Sequence, residues 1–434
     1  MNPEDLTVAG AASAIRERTL SPVDYARALL ARIDQVEPRV QAWFTVDRDG
    51  VLAEAEKYET EARGKTFRGP LHGVPLGIKD IFSTKNLRTT MGSPIFANFV
   101  PEHDAHAVAR LKQAGAIVLG KCVTTMFANL DPGPTRNPWN LGHTPGGSSS
   151  GSAAAVAARM CPGAVGSQTL GSVGRPAAFN GVASLVPTQR RISLEHVFPL
   201  AWSLDHVGMF GRSVADLELM LDAMAESPVE KFAGRRPFRI GVVREFFYEK
   251  ASSEARSVND GLADKLAKSG FQIEEVRLPE MFGVAQAALR MIVRSEAASN
   301  HKDLFEKHRD TYGKKIRAMV ETGMLLDAAT YVRARRIRRK YQQEMARLLE
   351  RFDAVMTPAA VGTAPEGLGS TGDPVMNSPW TLADVPIVTL PCGLGGNGMP
   401  LGVQLSGGPL REGLLLDVAK SVEAVINFQE RPNL

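Results

Sequence analysis

The sequence predicts an α/β fold, and two units in which helix and strand alternate carry that prediction. In the first, a helix over 106–114 is ended by Gly115 and followed by the apolar run Ala116-Ile117-Val118-Leu119-Gly120. In the second, a strand-like run over 238–243 passes through a helix over 253–269 to another strand over 271–276, which is βαβ order. Short apolar runs over 353–358, 387–390 and 402–405 add strands before a closing helix over 413–425.

The remaining elements follow from local signals. Thr7 and Ser21-Pro22 are N-cap signals, with Pro22 in the first helical position, so the first forty residues read as two helices, the second broken at Glu37-Pro38. A charged helix covers 51–64. The stiff turn Gly69-Pro70-Leu71-His72-Gly73-Val74-Pro75 then leads into a strand over 76–81, which puts Lys79 at the edge of a short buried strand. Residues 129–152 are polar and rich in Pro and Gly, with little room for regular structure. A helix of small residues over 153–158, a strand over 163–167 and a turn over 168–175 follow, and 214–225 is helical. Residues 281–351 are helical and include the basic run Val332-Arg333-Ala334-Arg335-Arg336-Ile337-Arg338-Arg339-Lys340. Charges at helical spacing make a solvated face more readily than a nucleic-acid patch. No repeat, low-complexity tract or linker divides the chain, so residues 1–434 read as one domain.

Composition excludes several classes. The net charge of +4 comes from 51 basic and 47 acidic residues mixed along 434, which points to neither a nucleic-acid nor a membrane partner. Cys122, Cys161 and Cys392 are too few for a disulfide framework and lack zinc-site spacing, so a reducing cytoplasm is expected. The N-terminus lacks the basic start and apolar run of a signal peptide, and no stretch approaches the roughly 18 apolar residues of a membrane span.

Three segments carry chemistry. In Gly146-Gly147-Ser148-Ser149-Ser150-Gly151-Ser152-Ala153, the density of Gly and Ser is costly in folding entropy. A flexible linker would not run straight into an Ala-rich helix. The G-x-S-x-G pattern of an α/β-hydrolase elbow is also satisfied here, with Ser149 as its serine, but the preceding 137–145 cannot form the central strand such an elbow follows. The second segment, Gly166-Ser167-Gln168-Thr169-Leu170-Gly171-Ser172-Val173-Gly174-Arg175-Pro176, is a strand end running into a turn whose consecutive N–H groups can converge on an oxyanion. The third is Gly77-Ile78-Lys79-Asp80, where the apolar approach desolvates Lys79 and lowers its pKa from about 10.4 toward neutrality. Taken alone, a lysine beside an aspartate is usually an exposed ion pair. The eight histidines do not assemble into a metal or triad set; His72 and His143 fall on loops near these segments.

Together the segments resemble the amidase signature family. Further matches are His72-Gly73-Val74-Pro75, residues 131–138, Pro176-Ala177-Ala178-Phe179, Ser203-Leu204-Asp205-His206-Val207-Gly208 and Leu401-Gly402-Val403-Gln404-Leu405. The resemblance implies a three-layer α/β/α fold with a mixed central sheet, its site built from loops at one sheet edge. It implies Lys79 as base, Ser148 as proton relay after a cis peptide, and Ser172 as nucleophile. The N–H groups of Thr169, Leu170, Gly171 and Ser172 would hold the oxyanion, and no cofactor or metal is needed. Arg175, Gly147 and Ser149 are expected to bind substrate. Arg175 resembles the carboxylate-binding position of malonamidase-type members, although a salt bridge stapling the turn would explain it equally well. The implied activity is hydrolysis of a small amide, with a carboxylate-bearing or ureido-type substrate preferred and a homodimer possible. The alternatives are an A-type amidotransferase subunit that needs a partner and an idle scaffold docking through the basic helix. Departures bear on the pocket: Leu170 stands where relatives carry Gly, Ala or Asn, Gly174 where malonamidase-type members have Ile, and Met126 in place of Glu. Arg190 and His196 replace residues that are usually Gly.

Overall fold

A computed structural model describes residues 2–232 and 237–434. Among the described residues, eleven strands form one continuous mixed sheet: β1 (Trp43–Val46), β2 (Pro75–Lys79), β3 (Ile117–Cys122), β4 (Ala164–Gln168), β5 (Ala183–Val186), β6 (His206–Gly211), β7 (Arg239–Val242), β8 (Gln272–Glu275), β9 (Ala354–Pro358), β10 (Ile387–Leu394) and β11 (Pro400–Ser406). Their spatial order is β1-β3-β2-β4-β6-β5-β10-β11-β9-β7-β8. β3, β2 and β4 run parallel, as do β9, β7 and β8; the pairs from β4 through β6, β5, β10 and β11 to β9 are antiparallel.

Alternation along the strands divides the interior into two apolar layers. Leu76, Ile78, Val165, Met209 and Val403 pack on one face with helices Val8–Arg16, His106–Gln113, Val214–Met224, Ser253–Lys268 and Glu412–Ile426. Ile117, Leu119, Ala164, Phe210 and Val355 pack on the other with helices Pro22–Val40, Ser150–Ala157, Phe282–His308 and Ala328–Leu349. The three-layer arrangement matches the expectation. The βαβ unit at 238–276 is present, with β7 and β8 parallel.

Several boundaries differ for identifiable reasons. Helix Pro22–Val40 continues through Pro38, because only the N–H of one residue near its end is lost. Gln41 closes that end with φ 54° and an N–H bond to the Glu37 carbonyl at 2.9 Å. The turn expected over 168–175 instead gives way to helix Gly174–Asn180. Pro176 is tolerated there because first-turn N–H groups have no intrahelical partner. Strands β1, β5 and β6 and helix Ser378–Ala383 were not foreseen. Arg190 and His196 take φ values of 65° and 58°, the left-handed region in which glycine costs least.

The residues expected to react do not gather at a sheet edge: β2 and β4 are neighbours in the interior of the strand order, and their parallel carboxyl ends carry Lys79 and Ser167. Among the described residues, no helix is long and apolar enough to cross a membrane.

Candidate active site

Lys79 is the last residue of β2 and is fully buried. Its Nζ lies 2.7 Å from Ser148 Oγ, 2.8 Å from Ser167 Oγ and 3.4 Å from the Ser167 carbonyl oxygen. Burial holds its pKa well below the ordinary lysine value, opposed by the charge of Asp205. The neighbouring Asp80 does not neutralise it. Asp80 accepts from the Thr90 N–H at 2.9 Å and from the Thr90 hydroxyl, and faces Lys121 Nζ at 3.8 Å. The two buried lysines, on neighbouring strands β2 and β3, thus have different surroundings. Lys121 has a carboxylate close by and donates to the hydroxyls of Thr84 and Thr89 at 3.0 Å each, although burial still pushes its pKa down to about 8. Among the described residues, Lys79 has hydroxyls and a carbonyl only as hydrogen-bond partners.

The Gly-Ser run carries a cis peptide between Gly147 and Ser148 and then enters helix Ser150–Ala157, all eight residues of which are buried. The close approach explains Gly151: a Cβ there would come 2.2 Å from the Ala42 carbonyl oxygen. Ser149 departs from its expected place at the substrate. It is fully buried, donates to the Ser167 carbonyl at 3.2 Å and accepts from the Ser167 N–H at 3.3 Å, so it clamps Ser167. The Gly147 carbonyl is likewise occupied, accepting from the Arg175 guanidinium at 2.6 Å.

The turn after β4 is held from within. Gln168 Oε1 accepts from the N–H groups of Val173 at 2.9 Å and Gly174 at 3.1 Å, while its Nε2 donates to the Thr381 hydroxyl at 3.0 Å. Thr169 donates its hydroxyl proton to Asp205 at 2.6 Å, and Asp205 also accepts from the Leu200 and Ala201 N–H groups at 2.9 Å each. Burial raises the Asp205 pKa to about 6 against those three hydrogen bonds. The turn held in this way leaves the N–H groups of Thr169, Leu170, Gly171 and Ser172 without a hydrogen-bond partner among the described residues. Ser172, 9% exposed, is the most open of the three serine and lysine residues expected to react. The structure joins Lys79 to Ser148 directly, whereas the Ser172 hydroxyl makes no hydrogen bond among the described residues.

Arg175 is fully buried and burial lowers its pKa to about 10, opposed by the charge of Asp373. It makes no salt bridge among the described residues; the stapling role falls to its bond with Gly147. The same nitrogen donates to the Thr371 hydroxyl at 3.3 Å, and its Nε and second terminal nitrogen have no partner among the described residues. Thr371 opens the segment 371–377, which packs against Gly147, Gly171 and Arg175. A Cβ on Gly147 would come 2.7 Å from the Thr371 methyl, and one on Gly171 would come 2.7 Å from Asn377 Oδ1.

Other sequence candidates prove structural. His72 bonds to Arg68 N–H and to the Tyr58 carbonyl, and His143 to the Ala364 carbonyl. In the basic helix, Arg338 turns inward to the Ser203 carbonyl and hydroxyl, Arg335 pairs with Glu296 at 3.0 Å, and Arg333, Arg336 and Arg339 are exposed.

Sequence reasoning assigned no role to Ser167, Gln168, Asp205 or Thr371. A buried polar pair inside a strand end, Ser167-Gln168, was the available signal. One consequence concerns stability. Gln168→Met keeps the volume and removes the shared acceptor, leaving two buried N–H groups unpaired at roughly 1–3 kcal/mol each. Denaturant unfolding should show a loss of that order, with Gln168→Glu less damaging because its carboxylate still accepts both bonds.

Known proteins share both this sequence and this architecture. Residues 24–416 match the family model described as Amidase. The A subunit of the glutamyl-tRNA(Gln) amidotransferase of Geobacter metallireducens is 35% identical over 470 residues, which cover 96% of this chain and 97% of that protein. The protein of the same name from Halothermothrix orenii is 33% identical, with 99% of each chain covered. Among solved structures, the native peptide amidase of Stenotrophomonas maltophilia superposes with a TM-score of 0.86 at 28% identity, over 99% of this chain and 98% of that one. A structure described through a vestigial protein complex and the origins of an s-triazine catabolic enzyme gives a TM-score of 0.90 at 30% identity, over 99% of this chain and 100% of that one.

Proposed function

This chain belongs to the amidase (amidase signature) family, and we propose that it breaks the C–N bond of a small, carboxylate-bearing carboxamide through an acyl-enzyme on Ser172. It is an enzyme of amide C–N bonds; the substrate class and residue roles are what the proposal adds. The observation that carries it is a fully buried amine with no carboxylate partner among the described residues, 2.7 Å from the Ser148 hydroxyl.

Uncharged Lys79 takes the Ser148 proton as Ser148 takes that of Ser172, and the Ser172 oxygen adds to the amide carbon. The free N–H groups of residues 169–172 receive the oxyanion. Collapse breaks the C–N bond, Ser148 returns a proton to the leaving nitrogen, and an ester to Ser172 remains. Water then adds through the same relay, freeing the acid and restoring the Ser172 hydroxyl. Substrate binding brings the Ser172 hydroxyl onto Ser148, a bond that tightens only with substrate in place. The unpaired terminal nitrogen of Arg175, together with the one that Thr371 now holds, forms a fork that suits a substrate carboxylate, which displaces Thr371 as the partner of the guanidinium.

Two tests follow. A fluorophosphonate should label Ser172, read by mass spectrometry of the peptide; a labelled chain with the mark elsewhere, or an unlabelled one, would remove the acyl-enzyme. Arg175→Lys keeps the charge and loses the fork. KM for a carboxylate-bearing amide should rise roughly 10- to 100-fold relative to a neutral amide of equal length. An equal loss on both would confine Arg175 to holding Gly147.

A second reading is favoured by the curated relatives, which are named as the A subunits of amidotransferases. On that reading the same Ser172 chemistry requires a partner that accepts the ammonia. Ammonia release by the purified chain alone argues against it; labelling of Ser172 with no turnover of any amide in the panel argues for it.

A further inference from the structure

Counting hydrogens around Lys79 assigns a task to Ser167. An uncharged amine has two N–H donors and one lone pair. Its three oxygen neighbours are two hydroxyls and one carbonyl, and the carbonyl can only accept. One hydroxyl must therefore accept an N–H and the other must donate to the lone pair. Base catalysis needs the donor to be Ser148.

We propose that Ser167 is the positioning residue of the base: its hydroxyl and carbonyl oxygens take both N–H groups of Lys79 and leave the lone pair aimed at the Ser148 proton. The inference rests on the acyl-enzyme reading above. Ser167 meets the geometric demands of this task. It lies one residue before the end of β4, beside the strand that carries Lys79, and pairs with Val207 on its other side. Its N–H and carbonyl are both tied to the Ser149 hydroxyl, at 3.3 and 3.2 Å. Those bonds fix the backbone while leaving the side chain to Lys79. The 2.8 Å contact to the hydroxyl is the stronger of the two it makes with Lys79, since the carbonyl contact at 3.4 Å is long. Asp205 is the charged group felt at Lys79, and Asp80 and Lys121 are engaged with each other and with threonines.

The test compares the full chain with Ser167→Ala and Ser167→Thr, following the rate of fluorophosphonate labelling at Ser172 and kcat/KM against pH. A hydrogen bond from nitrogen is stronger when the nitrogen is charged, so losing the Ser167 oxygen disfavours the ammonium form. Ser167→Ala should move the acid limb of both profiles to lower pH while the plateau falls roughly 10- to 100-fold, and threonine should restore both. A purely structural serine would lower the plateau without moving the limb. That result, an unchanged or raised plateau, or failure of threonine to rescue would overturn the assignment. Absence of wild-type labelling would instead strike the acyl-enzyme itself and take the positioning role with it.

Discussion

Ser172→Ala is expected to lower kcat for amide hydrolysis on the order of 10⁴-fold or more, the scale seen when the nucleophile of a serine hydrolase is removed. The fold should not suffer. The Ser172 hydroxyl makes no hydrogen bond among the described residues, and the turn around it is held by Gln168 and Asp205. Ammonia release measured beside a thermal melt separates the two effects: activity lost at an unchanged melting temperature is the predicted pair. Activity within tenfold of wild type would show that another group attacks the amide.

Lys79→Met should cost about as much, and the double variant with Ser172→Ala little more than either alone, because residues acting as one unit are not additive. Lys79→Arg should not rescue, since a guanidinium stays protonated and cannot accept the Ser148 proton. The lysine also leaves a mark on stability. Its pKa is lowered on folding, so the unfolded chain binds an extra proton in the window between the depressed value and about 10.4. Stability from this group is therefore lost as pH falls through that window and regained as pH rises. The wild type should gain on Lys79→Met as the pH of denaturant melts is raised from about 7 toward 10. A constant difference would mean that the amine is charged in the folded protein.

The residues legible in the sequence were those whose chemistry is dense along the chain. Lys79 at the end of an apolar run, Ser148 in a Gly-Ser cluster, and Ser172 and Arg175 on one turn are each marked by close neighbours. The supporting residues were hidden because their partners are distant in sequence. Ser167 meets Lys79 across 88 positions, Gln168 meets Thr381 across 213 and Arg175 meets Thr371 across 196. Ser149 was misplaced for the same reason: nothing local shows that the backbone of Ser167 already occupies its hydroxyl.

The fold divides similarly. Long amphipathic helices and the βαβ unit carry their own periodicity, whereas β1 and β5, at four residues each, are too short to show one. Helix Gly174–Asn180 was obscured by its own opening, Gly-Arg-Pro, which reads as a turn and is permitted only because the first helical turn needs no donors. Lys79 and Ser167 lie in the sheet interior instead of at an edge because β6 and β5, both unforeseen, extend the sheet past β4.

The uncharged state of Lys79 is the claim from which the rest follows, and it can be observed directly. With ¹³C-labelled lysine and the Lys79 Cε signal assigned by its absence in Lys79→Met, an NMR titration should find that signal at the neutral-amine position at pH 7, titrating well below the ordinary lysine value of about 10.4. A signal at the ammonium position that titrates near that ordinary value would contradict the account.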